Sequence, residues 1–127
     1  VPGHSLMGTQ NDQFLCPQSR YATLPDGAME AAQRQGRLRL LAHGESVGYT
    51  IFETPDQRQL MHLGHPEYNV DRILGEKERD KARGDVPPPQ NFDADHPQTL
   101  WRSHRNLLFQ QWLWFCYQRV SFQTTTG

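Results

Sequence analysis

Apolar and polar positions change their rhythm several times along this chain. The first stretch, to about Pro25, shows no period and is broken by Gly3, Gly8, Asn11, Asp12 and Pro17, so it reads as loop. Residues 28–35 form a short helical candidate that ends near Gly36. From Arg37 the period becomes two. Leu38, Leu40 and Ala42 alternate with polar residues, then Val47, Tyr49 and Ile51 do the same. Thr54-Pro55-Asp56 supplies a turn, because proline pre-sets φ for a first central position. Residues 47–53 and 58–63 therefore read as a β-hairpin. Gly64 closes the second strand. Asn69 is an N-cap candidate for a helix from Val70 to about Arg83, with Val70, Ile73 and Leu74 on one side. Gly84 and the prolines at 87–89 end that helix. A last helix is expected from about Thr99 to Arg119. Trp101, Leu108, Trp112 and Phe115 form one apolar stripe, and Phe109, Leu113 and Cys116 form another. A helix apolar over so much of its circumference is normally buried, and this chain offers only a few strands as a partner layer. The pattern predicts an α/β class with a β-hairpin and two main helices, resembling one half of a layered fold.

Composition narrows the classes of function. The 127 residues carry 13 basic and 14 acidic side chains, for a formal net charge of −1. That balance argues against a generic nucleic-acid or polybasic membrane binder. No apolar run approaches the length of a bilayer span. Two cysteines, Cys16 and Cys116, make neither a disulfide framework nor a Cys-x-x-Cys metal knuckle, so a cytoplasmic location is expected. The chain begins at Val1 rather than Met. The expectation is that residues 1–127 are a portion of a longer unit.

The sharpest local chemistry is Gly64-His65-Pro66-Glu67. A histidine just past a strand end sits where α/β folds place working groups. A carboxylate two residues on can accept from the imidazole and fix its tautomer, which is the orienting task of the acid in a catalytic triad. The competing reading is a plain surface turn. A nucleophile is missing. Cys16, in Phe14-Leu15-Cys16-Pro17, does not sit in a Gly-x-Cys-x-Gly elbow. Cys16 reads as a small buried residue, and Cys116 as one on the buried face of the last helix. His62 and His65 have a His-x-x-His spacing that a strand points to opposite faces, so no shared metal is expected. His43, His96 and His104 read as hydrogen-bonded structural residues. Arg72, Glu76, Arg79 and Arg83 recur on one helical face. By default that is a solvated stripe. Its sharper reading is the wall of an amino-acid site, with an Arg for a carboxylate and a Glu for an ammonium.

Several of these motifs occur together in one family. Gly64-His65-Pro66-Glu67-Tyr68-Asn69, Glu76-x-x-Arg79-Asp80, Val86-Pro87, Trp101-Arg102-Ser103-His104, Asn106-Leu107-Leu108-Phe109 and Trp112-Leu113 resemble, in order and spacing, the C-terminal half of the homoserine O-succinyltransferase/O-acetyltransferase (MetA-type) family. Phe14-Leu15-x-Pro17-x-Ser19-Arg20-Tyr21 resembles the family's Phe-Leu-Ala-Pro-His-Ser-Arg-Tyr segment, with Cys16 and Gln18 as departures. The resemblance implies a flavodoxin-like, class I glutamine amidotransferase-like three-layer fold. It also implies a ping-pong transfer of an acyl group from acyl-CoA, through an acyl-cysteine, to the hydroxyl of homoserine or a related hydroxy amino acid. On this reading His65 and Glu67 are catalytic, and Glu76 and Arg79 bind the amino acid, while Arg72 and Arg83 stay solvated. No metal or cofactor is implied, acyl-CoA being a co-substrate. The expected partner is a complementary N-terminal chain or segment carrying the catalytic Cys, and a homo-oligomer of the assembled unit is expected. Two rival readings stay open: a non-catalytic regulatory or binding subunit derived from the family, and a class I glutaminase, which the His-Pro-Glu motif also fits.

Overall fold

A computed structural model describes residues 3–120. Three helices and a three-stranded sheet follow the order α1 (Asp26–Arg34), β1 (Arg39–Gly44), β2 (Gly48–Glu53), β3 (Leu60–His62), α2 (Val70–Arg83) and α3 (Arg102–Arg119). The sheet is an antiparallel meander in the order β1-β2-β3, so the strand expected after Arg37 pairs onto the expected hairpin as β1. The α/β class stands, with a third, short helix beside the two main ones.

Local chemistry explains the element ends. α1 starts at Asp26 because Pro25 presets the entry to the helix, with φ of −61°. The carbonyls of Ala32 and Gln33 accept from Arg37 N and Gly36 N, both at 2.9 Å, which closes its C-terminus. Leu40 pairs with Phe52 and Ala42 with Ile51, so Leu41 is bulged and interrupts the simple alternation of β1. At α2 the Asn69 side chain accepts from Arg72 N at 2.9 Å, and Gly84 ends the helix in the left-handed region at φ 76°. Both ends of α2 fall where its sequence places them.

The core is small. Leu6, Met7 and Ile51 are buried together, and Phe14, Leu41, Ala42, Leu60 and Phe115 pack around them. The N-terminal loop therefore supplies core residues although its sequence shows no period. Its anchor is His4, whose Nε2 lies 3.0 Å from Oε1 of the buried Glu53, while its Nδ1 accepts from Leu6 N and Met7 N.

α3 departs from expectation. Leu108 and His104 are its buried residues, with Trp101 buried at its cap. Leu113 is 70 % exposed and Trp114 56 % exposed, and Phe109, Trp112 and Tyr117 are exposed as well. Cys116 is exposed rather than on a buried face. The cause is the size of the partner layer. Phe115 packs against the small cluster of Leu6, Met7 and Ile51, and Leu108 is buried, while most other apolar side chains of α3 face outward. Among the described residues no helix is long and apolar enough to cross a membrane.

Candidate active site

The turn that follows β3 is built by residues 65–68. Tyr68 N donates to His65 O at 3.1 Å, with Pro66 at the first central position. Three contacts hold this turn. His65 N donates to Pro17 O at 2.7 Å, which ties it to the loop before α1. Trp101 Nε1 donates to Tyr68 O at 2.8 Å, which ties it to the start of α3. The rings of His65 and Tyr68 stack at 4.4 Å between centroids. Gly64 is required by crowding. A Cβ there would lie 2.8 Å from Cys16 Sγ, 3.1 Å from His62 Cε1 and 2.6 Å from Gln18 Nε2.

Within the turn, Nδ1 of His65 lies 2.8 Å from Oε1 of Glu67. An ionised carboxylate only accepts, so Nδ1 carries the proton and Nε2 presents its lone pair. The imidazole is one third exposed and Glu67 about half. The pair is thus accessible and oriented.

Glu76, from the second turn of α2, faces inward rather than to solvent. Its Oε2 accepts from Ser19 Oγ and its Oε1 from Tyr68 OH, both at 2.8 Å. Arg72 Nε stands 3.2 Å from Oε1, nearer than Arg79 Nη1 at 4.0 Å. Burial pushes this carboxyl up, but the two hydroxyls and two guanidiniums outweigh it and hold it below the usual carboxylate range. Arg79 is half exposed and its Nη2 pairs with Asp80 Oδ1 at 2.9 Å. Arg72 and Arg83 are mainly solvated, as expected, yet each lies over a tyrosine ring, Tyr68 and Tyr21 respectively. The structure joins Glu76 to the His65 turn through Tyr68, and leaves Arg79 on the outer side of α2. A broad groove of about 1930 Å³ runs past Ser19, Tyr21, Glu76 and Asp80 toward the loop of Pro88 and Phe92.

Cys16 is half-buried, and its thiol is pushed up to about 12, first by burial and then by the Glu67 charge, against a backbone hydrogen bond from His65. It is a neutral thiol at physiological pH, not an attacking thiolate. His43 and His96 are paired with Asp26 and Asp93, in line with a structural reading. His104 donates toward Gln10 Oε1 at 3.0 Å, but it is not an isolated residue: Cys16 and His62 lie beside it. Sequence pattern assigns no site task to Ser19, Tyr68 or Trp101. Their tasks depend on contacts across 57, 8 and 33 positions, which no spacing reveals.

A mixed α/β chain that presents an oriented His–Glu pair on a tight turn after a strand has the makings of an acyl-transfer or amide-transfer site. A family profile described as homoserine O-succinyltransferase matches residues 1–122, and the chain belongs to that family. Similar curated proteins include the homoserine O-succinyltransferase of Yersinia pestis (strain Pestoides F), which is 40 % identical over 88 % of this chain and 38 % of its own length. The proteins of that name from Yersinia pseudotuberculosis (strain YPIII) and Yersinia enterocolitica (serotype O:8) show the same identity and the same coverage. The chain spans 38 % of the length of these curated relatives.

Proposed function

We propose that residues 1–127 are the C-terminal portion of a single cytoplasmic acyltransferase domain, of flavodoxin-like, class I glutamine amidotransferase-like architecture. It transfers an acyl group from acyl-CoA to the hydroxyl of homoserine or a related hydroxy amino acid. A cysteine outside the described residues, on a complementary N-terminal segment, supplies the nucleophile. The observation that carries this reading is the 2.8 Å contact between His65 Nδ1 and Glu67, which frees Nε2 to move protons.

The steps follow from that free lone pair. Nε2 takes the proton of the nucleophilic thiol, and the thiolate attacks the thioester carbonyl. The coenzyme leaves as its thiolate and takes the proton back from His65. The acceptor hydroxyl then binds. His65 removes its proton as the oxygen attacks the acyl-cysteine, and the proton returns to the departing cysteine sulfur. Glu67 stabilises the imidazolium formed in each half-reaction and keeps the ring in register. Backbone donors for the tetrahedral oxyanion come from the complementary segment.

Arg79 is the cation for the acceptor carboxylate, and Glu76 the anion for its ammonium. Both already have protein partners, so substrate binding exchanges contacts: Arg79 turns from Asp80, and the ammonium joins Ser19 and Tyr68 around Glu76. The assembled unit is a homo-oligomer on this reading.

The test uses the enzyme with its complementary segment. Consumption of succinyl-CoA or acetyl-CoA with homoserine, and an acyl adduct on a cysteine seen by mass spectrometry when the acceptor is withheld, are the expected results. Release of ammonia from glutamine with no acyl-CoA turnover would replace this reading with a glutaminase. Inertness toward both would favour a binding subunit.

A further inference from the structure

Behind the His65 turn three side chains meet from distant parts of the chain. Cys16 comes from the loop before α1, His62 is the last residue of β3, and His104 lies in the first turn of α3. One ligating atom from each lies within 4.8 Å of the others. Both imidazoles are incompletely satisfied: Nε2 of His62 and Nε2 of His104 are buried without a hydrogen-bond partner. Buried polar atoms are normally paired, so an unpartnered nitrogen on each of two histidines of one cluster needs an explanation.

The His104 ring is oriented as a ligand. His104 is 6 % exposed. Its Nδ1 faces Gln10 Oε1 at 3.0 Å, so Nδ1 holds the proton and the Nε2 lone pair is free. Phe14 stacks on this ring at 3.9 Å and 5° and fixes its plane. Burial lowers both histidines to about 4, with the neighbouring His104 adding to the effect on His62.

We propose that Cys16, His62 and His104 form a binding site for a zinc-class transition-metal ion. One sulfur and two imidazole nitrogens suit zinc and exclude magnesium and calcium, which take oxygen ligands. Zinc bonds of about 2.0–2.3 Å hold tetrahedral ligand atoms about 3.4–3.6 Å apart, and the three atoms lie within 4.8 Å of one another, so the group tightens by at most about 1.4 Å on loading. The fourth position is left for water or an outside ligand. The proton balance is definite. The Cys16 thiol proton is released to solvent as the sulfur–metal bond forms. In His62, Nδ1 accepts from Gly64 N at 3.1 Å, so its proton sits on Nε2. Loading moves that proton to Nδ1 and gives up the Gly64 hydrogen bond. One proton leaves per ion. The metal would clip the Cys16 loop, the edge of the sheet and α3 together, directly beside Pro17, whose carbonyl holds His65. The site stands on this geometry and is independent of the acyltransferase reading.

Cobalt(II) alone, titrated into the EDTA-treated protein, is the direct probe. A sulfur-to-cobalt charge-transfer band in the near ultraviolet is expected, bleached by one equivalent of zinc, with one proton released per ion. Cys16→Ala should abolish the band, His62→Val and His104→Gln should weaken binding, and Cys116→Ser should leave the band intact. Absence of a band in the unaltered protein, or its persistence in Cys16→Ala, overturns the proposal. Should Cys16→Ala fail to fold by circular dichroism, alkylation of the unaltered protein decides. Zinc should slow labelling of Cys16 at a pH high enough to ionise part of the thiol, and labelling at an unchanged rate overturns the site.

Discussion

Trp101 donates its indole N–H to the carbonyl of Tyr68 at 2.8 Å, so the residue that starts α3 holds the turn that carries His65. The indole is 5 % exposed and the contact is the bridge between the last helix and the site. Trp101→Phe keeps an aromatic ring but removes the donor. A stability loss of about 1 kcal/mol is expected, together with a fall in kcat larger than any change in KM, because the His65 turn loosens. Urea titration and steady-state acyl-CoA turnover of the assembled enzyme measure the two effects. Unchanged turnover would show that the indole only supports the fold.

The His65–Glu67 pair should behave as one unit. His65→Ala is expected to lower turnover on the order of 10²–10⁴-fold, and Glu67→Gln by a comparable factor with little change in KM. The double variant should be no worse than the poorer single variant, since each removes the same proton relay. Stopped-flow measurement of acyl-enzyme formation tests this directly.

Glu76 predicts a pH dependence of stability. Its carboxyl is held below the ordinary value of 4.5 in the folded chain. A depressed carboxylate stabilises the fold above the unfolded value, and that contribution disappears as pH falls through the folded value. Glu76→Gln should therefore unfold at lower urea than the unaltered chain at pH 7. The gap should narrow progressively once the pH drops below about 4.5. A gap independent of pH would assign the effect to lost hydrogen bonds rather than to charge.

Gly64→Ala should cost about 1–3 kcal/mol by overpacking. The Gln18 amide can swing away, but Cys16 Sγ at 2.8 Å and the His62 ring at 3.1 Å are packed and cannot. Thermal unfolding of this variant should show a lowered Tm, and a melt superimposable on the original would mean that the loop before α1 is free to move aside.

Removing His4 tests the anchor of the N-terminal loop. Glu53 is 2 % exposed and keeps Arg39 Nη1 at 3.0 Å when His4 is gone. His4→Ala is expected to cost about 1.5–3 kcal/mol, the range for hydrogen bonds to a charged group. His96→Ala, at an exposed pair, should change stability by less than about 0.5 kcal/mol. Chemical denaturation of the two variants side by side gives the comparison.

Features set by near neighbours along the chain are legible in its residues. Asn69 and Gly84 bound α2, the prolines and glycines place the turns, and a carboxylate two residues from His65 meets its imidazole because a single tight turn brings them together. Such contacts close short loops and depend on backbone sterics that the residues carry with them. Tertiary structure alone decided the rest. Ser19 reaches Glu76, His4 reaches Glu53, and Cys16, His62 and His104 converge only after loop, sheet and helix have packed. The same holds for α3: periodicity marks Phe109 and Leu113 as one apolar stripe, but exposure depends on whether a second surface lies against them. Pattern records what a side chain prefers, and packing settles what it meets.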